Sequence, residues 1–455
     1  MVISSMRLLA CIVCCVASAL FVGLKSHATD ELPQATVLKQ AQQAFGEGDF
    51  PRVLELVESL GEKSELTRKI ARLKILSLVR LGKTKEGVEA FDRYVGSVGH
   101  NEEVLLRELA IYAILPFRSD MREQVRGAAY SALKEIQSPE VLPYFQDGLS
   151  DGSGMIRVLV AEGMGNFVEG RKLESFRGAL NDQAGLVRVT VLKAFGRSGD
   201  KSTIPLVTPF LKDKQEAVQV AAAAALYRLG QQTQWERVER ATNAQEGYER
   251  GSALRMIGEI GNPRGLPLLE LGLRDKQPSI RAAAAASLGK LGLKEGVPLL
   301  IRVLSEPVPA VRSVAAVTLG KLKAEDAIPA LTRSLHDRNF GVKAAAVAGL
   351  LQLNSPFGIV AETVRELIGQ QNPGIRSSIG KALAHGRARD VVGTLRLMLS
   401  DPVPKPRISA ARSLGRVAGR DVISHLKHLL KDPNESLRAT AAAAIVRILS
   451  TSPQT

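Results

Sequence analysis

The chain has 455 residues, 45% of them hydrophobic and 24% charged, with a formal net charge of +15. That balance excludes a disordered polypeptide, and an aromatic content of 4% is thin for an aromatic-lined small-molecule pocket. The three cysteines, Cys11, Cys14 and Cys15, sit together at the N-terminus, which excludes a disulfide framework, Cys-ligated zinc or a cysteine nucleophile in the body of the protein.

Residues 1–28 read as a secretory signal. Arg7 supplies the positive start, Leu8 to Leu24 form an apolar run, and Ser26-His27-Ala28 presents small residues to a signal peptidase cutting after Ala28. The run also reaches the lower limit of a membrane span, so the alternative is an uncleaved N-terminal anchor in the inner membrane. Either way the body is expected to be exported, with a bacterial periplasm as its address.

Residues 29–118 form a second unit. Ala41, Ala44 and Phe45 lead through Gly48-Asp49-Phe50-Pro51 into Val53-Leu54-Glu55-Leu56, and Ile75 and Leu78 lead through Gly82-Lys83-Thr84-Lys85 into Val88 and Phe91. The second helix–turn–helix pattern follows the first at the spacing of a tetratricopeptide repeat. The two look like a tetratricopeptide pair, although the usual Trp and Tyr are missing. A plain helical cap for the segment that follows is the other reading.

From 119 to 455 one pattern repeats. A basic residue recurs at Arg126, Arg157, Arg188, Arg250, Arg281, Arg312, Lys343, Arg376, Arg407 and Arg438, with Gln219 standing in its phase between Arg188 and Arg250. The step is a constant thirty-one, except for thirty-three between Lys343 and Arg376. Seven residues after it the side chain is apolar in every unit, and six before it stand Asp120, Asp151, Asp182, Asp213, Asp275, Asp337, Asp401 and Asp432, with Glu306 in the same phase. Pro278, Pro309, Pro373 and Pro404, three residues before the basic position, predict helix starts, because proline lacks the N–H that would be unpaired there. Gly199, Gly230, Gly261 and Gly292, eleven after it, predict left-handed helix ends. Each of about eleven units is therefore a pair of helices, 278–291 and 298–304 in one instance, joined at Gly292. Strand patterning is absent. Small residues three and eight after the basic position, such as Ala284 and Gly289, predict close approach between neighbouring helices.

The pattern L-x-D-x-x-x-x-(V/I)-R-x-x-A-A-x-x-L-G resembles the HEAT repeat, in the short form named after phycobilisome lyases, over about 119–449. The resemblance implies an all-α, right-handed α-α superhelix of the HEAT/armadillo-like solenoid kind, preceded by the tetratricopeptide-like hairpins. It also implies that the Arg and Asp positions form a stacked structural ladder and not a ligand site. Helices packed ~8–10 Å apart would carry such an array on the order of 100 Å along its axis. The last unit lacks a second helix and is expected to act as a terminal half-unit cap.

The positive charge gathers late: 376–447 holds 14 basic and 5 acidic residues. Arg412, Arg416 and Arg420, with Lys427 and Lys431, form a candidate surface for an anionic partner such as lipid headgroups or an envelope polymer. Nucleic acid is not expected in an exported chain without aromatic–basic interleaving. The six histidines form no metal-binding motif, and no phosphate-binding loop or nucleophile elbow occurs, so no metal, cofactor or catalytic residue is assigned. The His–Glu dipeptides of HEAT-type di-iron hydroxylases are missing, and a lyase-like activity has no residues to carry it. The function expected is that of a non-catalytic exported scaffold or adaptor that binds or organises envelope proteins. The alternatives are a basic-surface binder of anionic lipid or polymer and a HEAT-type enzyme.

Overall fold

The computed structural model describes residues 34–61, 67–99 and 102–451, and all of their regular structure is helical. The expected signal and the cleavage point after Ala28 lie outside these residues. Two helical hairpins come first: α1 (Gln34–Glu47) with α2 (Phe50–Ser59), and α3 (Arg68–Arg80) with α4 (Thr84–Val98). The side chain of Asp49 caps α2 by accepting from the Arg52 N–H at 3.1 Å. The first hairpin keeps a small core of Val37, Ala41, Val53 and Val57. The second joins the main core, and α5 (Glu103–Ile114) follows.

Eleven long repeat helices then appear, one per unit. They are α6 (Glu123–Ile136), α7 (Gly154–Gly165), α8 (Gly185–Ser198), α9 (Glu216–Arg228), α10 (Gly247–Ile260) and α11 (Pro278–Leu291), then α12 (Pro309–Lys321), α13 (Phe340–Gln352), α14 (Pro373–Ala382), α15 (Pro404–Val417) and α16 (Glu435–Ser450). The prolines three before the basic residue open α11, α12, α14 and α15 as the sequence predicts. The segments between the long helices are short. Most combine a 3₁₀ turn with an α-helix of one or two turns, and the second helix of the unit at 278–304 runs Gly296–Val303, with Pro298 inside its first turn.

The position eleven after the basic residue is left-handed in seven of the eleven units, whether or not glycine fills it, but not at Arg387 or Ala418. Gly199, Gly230, Gly261 and Gly292 have φ between 69° and 109°, and Gln137, Lys323 and Asn354 hold the same turn at φ 55–56°. The geometry is imposed by the tight return into the short segment, and three units accept a side chain there at some cost.

Each long helix packs along the next. Where glycine stands eight after the basic residue, it meets a small residue six after it in the following unit. A Cβ on Gly196 would lie 2.8 Å from the Cα of Ala225, and one on Gly415 would lie 2.7 Å from that of Ala444. The short segments touch their own unit's long helix and the following one but scarcely each other. Spacing that is tight on the long-helix side and wide on the short-segment side bends the stack, with the long helices inside the curve.

The bend runs to closure. Helix α16 packs along α6, the first repeat helix, and along α5. The superhelix therefore completes a ring within one turn, and the two ends meet where an extended array of ~100 Å was expected. The half-unit is also completed. The outer segment of the first unit covers 139–150, so the same phase one repeat earlier falls on 108–119, the end of α5 and the 3₁₀ turn Leu115–Ser119. That stretch sits between α16 and α6 and serves as the outer segment of the last unit, supplied from the opposite end of the chain. The boundary expected at 118/119 thus divides a segment that already belongs to the ring.

Charged pairs trim this seam. Arg420 binds Glu103 through two hydrogen bonds of 2.9 and 3.2 Å, Arg122 reaches Glu435 at 3.2 Å, and Lys427 binds Asp92. The apolar contact beneath contributes more. Leu437, Ala441 and Ile445 of α16 are fully buried, and burying one such leucine or isoleucine is worth ~1.5–3 kcal/mol, against ~0–1 kcal/mol for an exposed ion pair.

Urea denaturation should separate two kinds of glycine. Gly292→Ala, which has open space around its missing Cβ, should cost ~1 kcal/mol from its left-handed φ alone, while Gly196→Ala should cost more, ~1–3 kcal/mol, by forcing α8 and α9 apart. In a double-mutant cycle, Arg420 and Glu103 should couple by ~0.5–1 kcal/mol. Coupling of that size between side chains so distant in sequence requires the two ends to meet in solution.

Candidate binding site: the ladder, the seam and the lumen

The ladder forms between units. Each arginine bonds the in-phase carboxylate of the next unit: Arg126 with Asp151, Arg157 with Asp182, Arg188 with Asp213, Arg250 with Asp275, Arg312 with Asp337, Arg376 with Asp401 and Arg407 with Asp432, at 2.6–2.8 Å, and Arg281 with Glu306. Nearly all of these arginines also donate to the carbonyl six residues back, as Arg188 does to Asp182 at 2.6 Å. The carboxylate in turn accepts from the backbone N–H two residues on, as Asp182 does from Ala184 at 2.7 Å. One guanidinium thus ties the loop before its own helix to the capped loop of the next unit. Arg157 and Arg188, 7% and 5% exposed at the side chain, are occupied in full by these bonds.

Three rungs depart from the pattern. Gln219 keeps the loop bond, donating to the Asp213 carbonyl at 2.7 Å, and receives Arg237 in place of a carboxylate. Lys343 faces Gln370 in phase and turns to Glu366 instead, at 2.8 Å. Arg438 has its in-phase partner, Asp120, across the seam. There Asp120 is taken by Arg122, and Arg438 lies over the Phe117 ring at 5.0 Å. Hydrogen bonds from Arg122 hold the Asp120 carboxyl at about 2.

The surface proposed from sequence for an anionic partner is largely taken up within the chain. Arg412 binds Glu135 at 2.6 Å, Arg420 binds Glu103, and Lys427 and Lys431 share Asp92. These carboxylates lie hundreds of residues away in sequence, so counting local charge could not reveal them. Arg416 alone of the five has no carboxylate partner among the described residues and stays exposed.

Arg416 belongs to a feature missed in the sequence. The long helices line the inside of the ring, and the residues five and nine after the basic position point into it. Contacts between units two apart identify this concave wall: Lys193 of α8 meets Glu259 of α10 at 3.1 Å, and Arg412 of α15 meets Glu135 of α6. The ninth-position row reads Glu135, Asn166, Arg197, Arg228, Glu259, Lys290, Lys321, Gln352, His385, Arg416, Arg447, and the fifth-position row adds Lys193, Arg255, Lys381 and Arg412 against Glu162. Cations outnumber carboxylates by ten to three in these two rows. Near the seam the wall opens into a cleft of about 480 Å³ lined by Ser131, Lys134, Glu135, Arg412, Arg416 and Arg447.

The electrostatics follow the crowding of positive charge. Burial pushes the Glu259 carboxyl up, but Lys290 and Lys193 outweigh it and hold it at about 2. Partial enclosure lowers His385, and Arg416, Lys321 and Lys323 lower it further. Arg255 is lowered by desolvation alone, from the side chains packed around its stem, while the residue as a whole stays exposed. Among the described residues, no three His, Cys, Asp or Glu side chains gather as a metal site would require.

The ladder sets a pH dependence. In Asp151, Asp182, Asp213 and Asp337 burial raises the pKa, but the arginine hydrogen bond and the backbone donor more than offset it; in Asp275 and Asp401 the arginine dominates outright. All six end below the ordinary aspartate value, so the folded state binds fewer protons than the unfolded chain. Their stabilisation is complete above about pH 4 and is lost as pH falls through the depressed values. Urea midpoints should be flat from pH 7 to about 5 and fall below about 4. A midpoint that rises on acidification would contradict the ladder's charged state.

The HEAT-repeat family model matches residues 173–241, 236–308, 266–351 and 361–446, together more than half of the chain. No curated protein matches the sequence. Among solved structures, human deoxyhypusine hydroxylase is 19% identical, covering 56% of this chain and 98% of that one with a TM-score of 0.27. The CpcE–CpcF complex of phycocyanin lyase from Nostoc is 21% identical over 53% and 93%, with a TM-score of 0.36. Kap121p bound to Nup53p is 14% identical over 92% and 57%, with a TM-score of 0.34. The matched units carry most of the ladder and of the continuous core, and this chain belongs to the HEAT-repeat family.

Proposed function

We propose that the protein is an exported, non-catalytic scaffold that binds and organises another protein in the cell envelope. Residues 1–28 direct export, the paired hairpins of 34–98 act as a tetratricopeptide-like docking module, and the ring is the main platform. HEAT-repeat arrays are in general protein-binding scaffolds, and the extended surface here suits that role.

The observation that carries the reading is a row of exposed apolar side chains on one rim. Met155, Leu186 and Tyr248 are 64%, 53% and 62% exposed. Each is the second residue of its repeat helix, in α7, α8 and α10, and Ala217 holds the same place in α9. Four successive units therefore present one apolar stripe, spaced by the repeat. Exposed apolar side chains scattered singly need no explanation, but a contiguous row held open in register is what a protein interface uses. The anionic-surface alternative loses support, because four of the five residues that suggested it are paired within the chain.

Crosslinking in intact cells, followed by affinity purification and mass spectrometry, tests this. One or a few envelope proteins should be recovered with the full chain, and the triple variant Met155→Asp, Leu186→Asp, Tyr248→Asp should lose them with its helical content unchanged. Recovery of the chain in the cytosolic fraction, or equal capture by wild type and variant, would overturn the proposal.

A further inference from the structure

We infer that the lumen of the ring binds an acidic, extended segment of the partner protein, whose carboxylates pair with cations that the ring leaves unpaired. This deepens the scaffold reading and rests on it. The ring uses its charges thoroughly elsewhere, on the ladder and at the seam, so charges left over on one concave wall are informative. Arg255, Lys321, Lys381 and Arg416 are exposed there and have no carboxylate within ion-pair distance among the described residues.

A simpler origin accounts for part of the row. Lysine or arginine in the last turn of a helix is favoured by the helix dipole, which covers Lys290, Lys321, Lys381 and Arg416. It does not cover Arg255, which stands a turn deeper, where the end of the dipole is no longer felt, and which, unlike Lys193 and Arg412 at the same depth, has no carboxylate partner among the described residues. Nor does it explain why both rows face the hollow, where like charges on a curved wall repel and their field is focused rather than dispersed. Burial alone lowers Arg255, whereas at His385 burial is joined by Arg416, Lys321 and Lys323, so the unrelieved positive field is felt at that stretch of the wall. Such an arrangement detracts from the stability of the empty ring and is relieved when an anion enters.

Geometry narrows the class of anion. Eleven helices spaced ~9 Å apart close into a circle ~30 Å across, which leaves an opening of ~20 Å once the width of the helices with their side chains is removed. An extended polypeptide fits such a hollow, and the ~20 Å length of a repeat helix spans about six of its residues. A flat bilayer does not enter a concave wall. The two lumen rows contain no Phe, Tyr or Trp, so unstacked bases find no platform of the kind that single-strand binders use.

The test is fluorescence anisotropy with the full chain and a labelled peptide of alternating glutamate and serine, about ten residues long. Binding should be saturable and weakened by salt, and Lys321→Glu, Lys381→Glu, Arg416→Glu together should weaken it at least ~tenfold. Arg365→Glu with Arg389→Glu, on exposed outer segments, should change it less than ~twofold. Circular dichroism checks that both variants remain helical. Equal loss in the two variants, or no loss in the first, would overturn the lumen assignment. Tighter binding of a single-stranded oligonucleotide or of polyphosphate of equal charge would overturn the choice of a peptide. If in-cell crosslinking recovers a protein partner while the peptide fails to bind, the scaffold reading stands and this inference falls. If the peptide binds in the lumen but no partner is recovered, the scaffold reading is the one that fails.

Discussion

Close packing between successive repeat helices is the constraint on which the rest of this structure depends. Small residues at two fixed phases, such as Gly196 against Ala225, Gly289 against Thr318 and Gly415 against Ala444, let the backbones approach at one point along the helix. The outer segments, short and partly 3₁₀, have nothing comparable to draw them together. Each unit therefore turns relative to the last, in the same sense, and eleven turns bring the end of the chain to its beginning.

Closure has chemical consequences that an open array would not have. It gives α16 a second neighbour, so that its apolar side chains are buried on both flanks, and it lends the last unit an outer segment from α5. It brings the basic C-terminal region against the acidic carboxylates of 92–135, so opposite charges that are far apart in sequence become neighbours. It also encloses the ninth- and fifth-position rows in a hollow, where positive charge accumulates. The ladder plays a different part. Its arginines bind two loops at once and fix the register of each unit on the next. Nearly buried pairs such as Arg188 with Asp213 contribute specificity of stacking at least as much as net stability, because desolvation offsets much of their attraction.

The local architecture is legible in the sequence, because it is written in phases that repeat eleven times. The prolines mark helix starts, position eleven marks the left-handed ends, and the Arg and Asp phases mark the ladder, although only the structure shows that each arginine reaches forward to the next unit and not within its own. The sequence starts the second helix of the unit at 278–304 at Pro298, whereas the structure starts it two residues earlier, at Gly296, and opens most other second segments on a 3₁₀ turn. The global shape is not legible. Curvature is the sum of small angles between units, and no single residue reports it. The same blindness makes Arg412, Arg420, Lys427 and Lys431 look like a free surface. The lumen rows can be found by tabulating every phase of the repeat for charge, since the ninth position is basic in six of eleven units.

The closed ring is tested most directly by the distance between Met121 and Pro433. These residues occupy the same phase, five before the basic position, in the first and last units, and both are exposed. Fluorescent labels on cysteines placed at these two sites, in a monomeric chain with Cys11, Cys14 and Cys15 replaced by serine, report their separation by energy transfer. A second labelled pair at Met121 and Gly152, which are true neighbours one unit apart in sequence, sets the scale. A closed ring gives the seam pair the same high transfer as the neighbour pair. Near-zero transfer at the seam with the neighbour pair unchanged would mean an open superhelix, and the lumen and its chemistry would go with it.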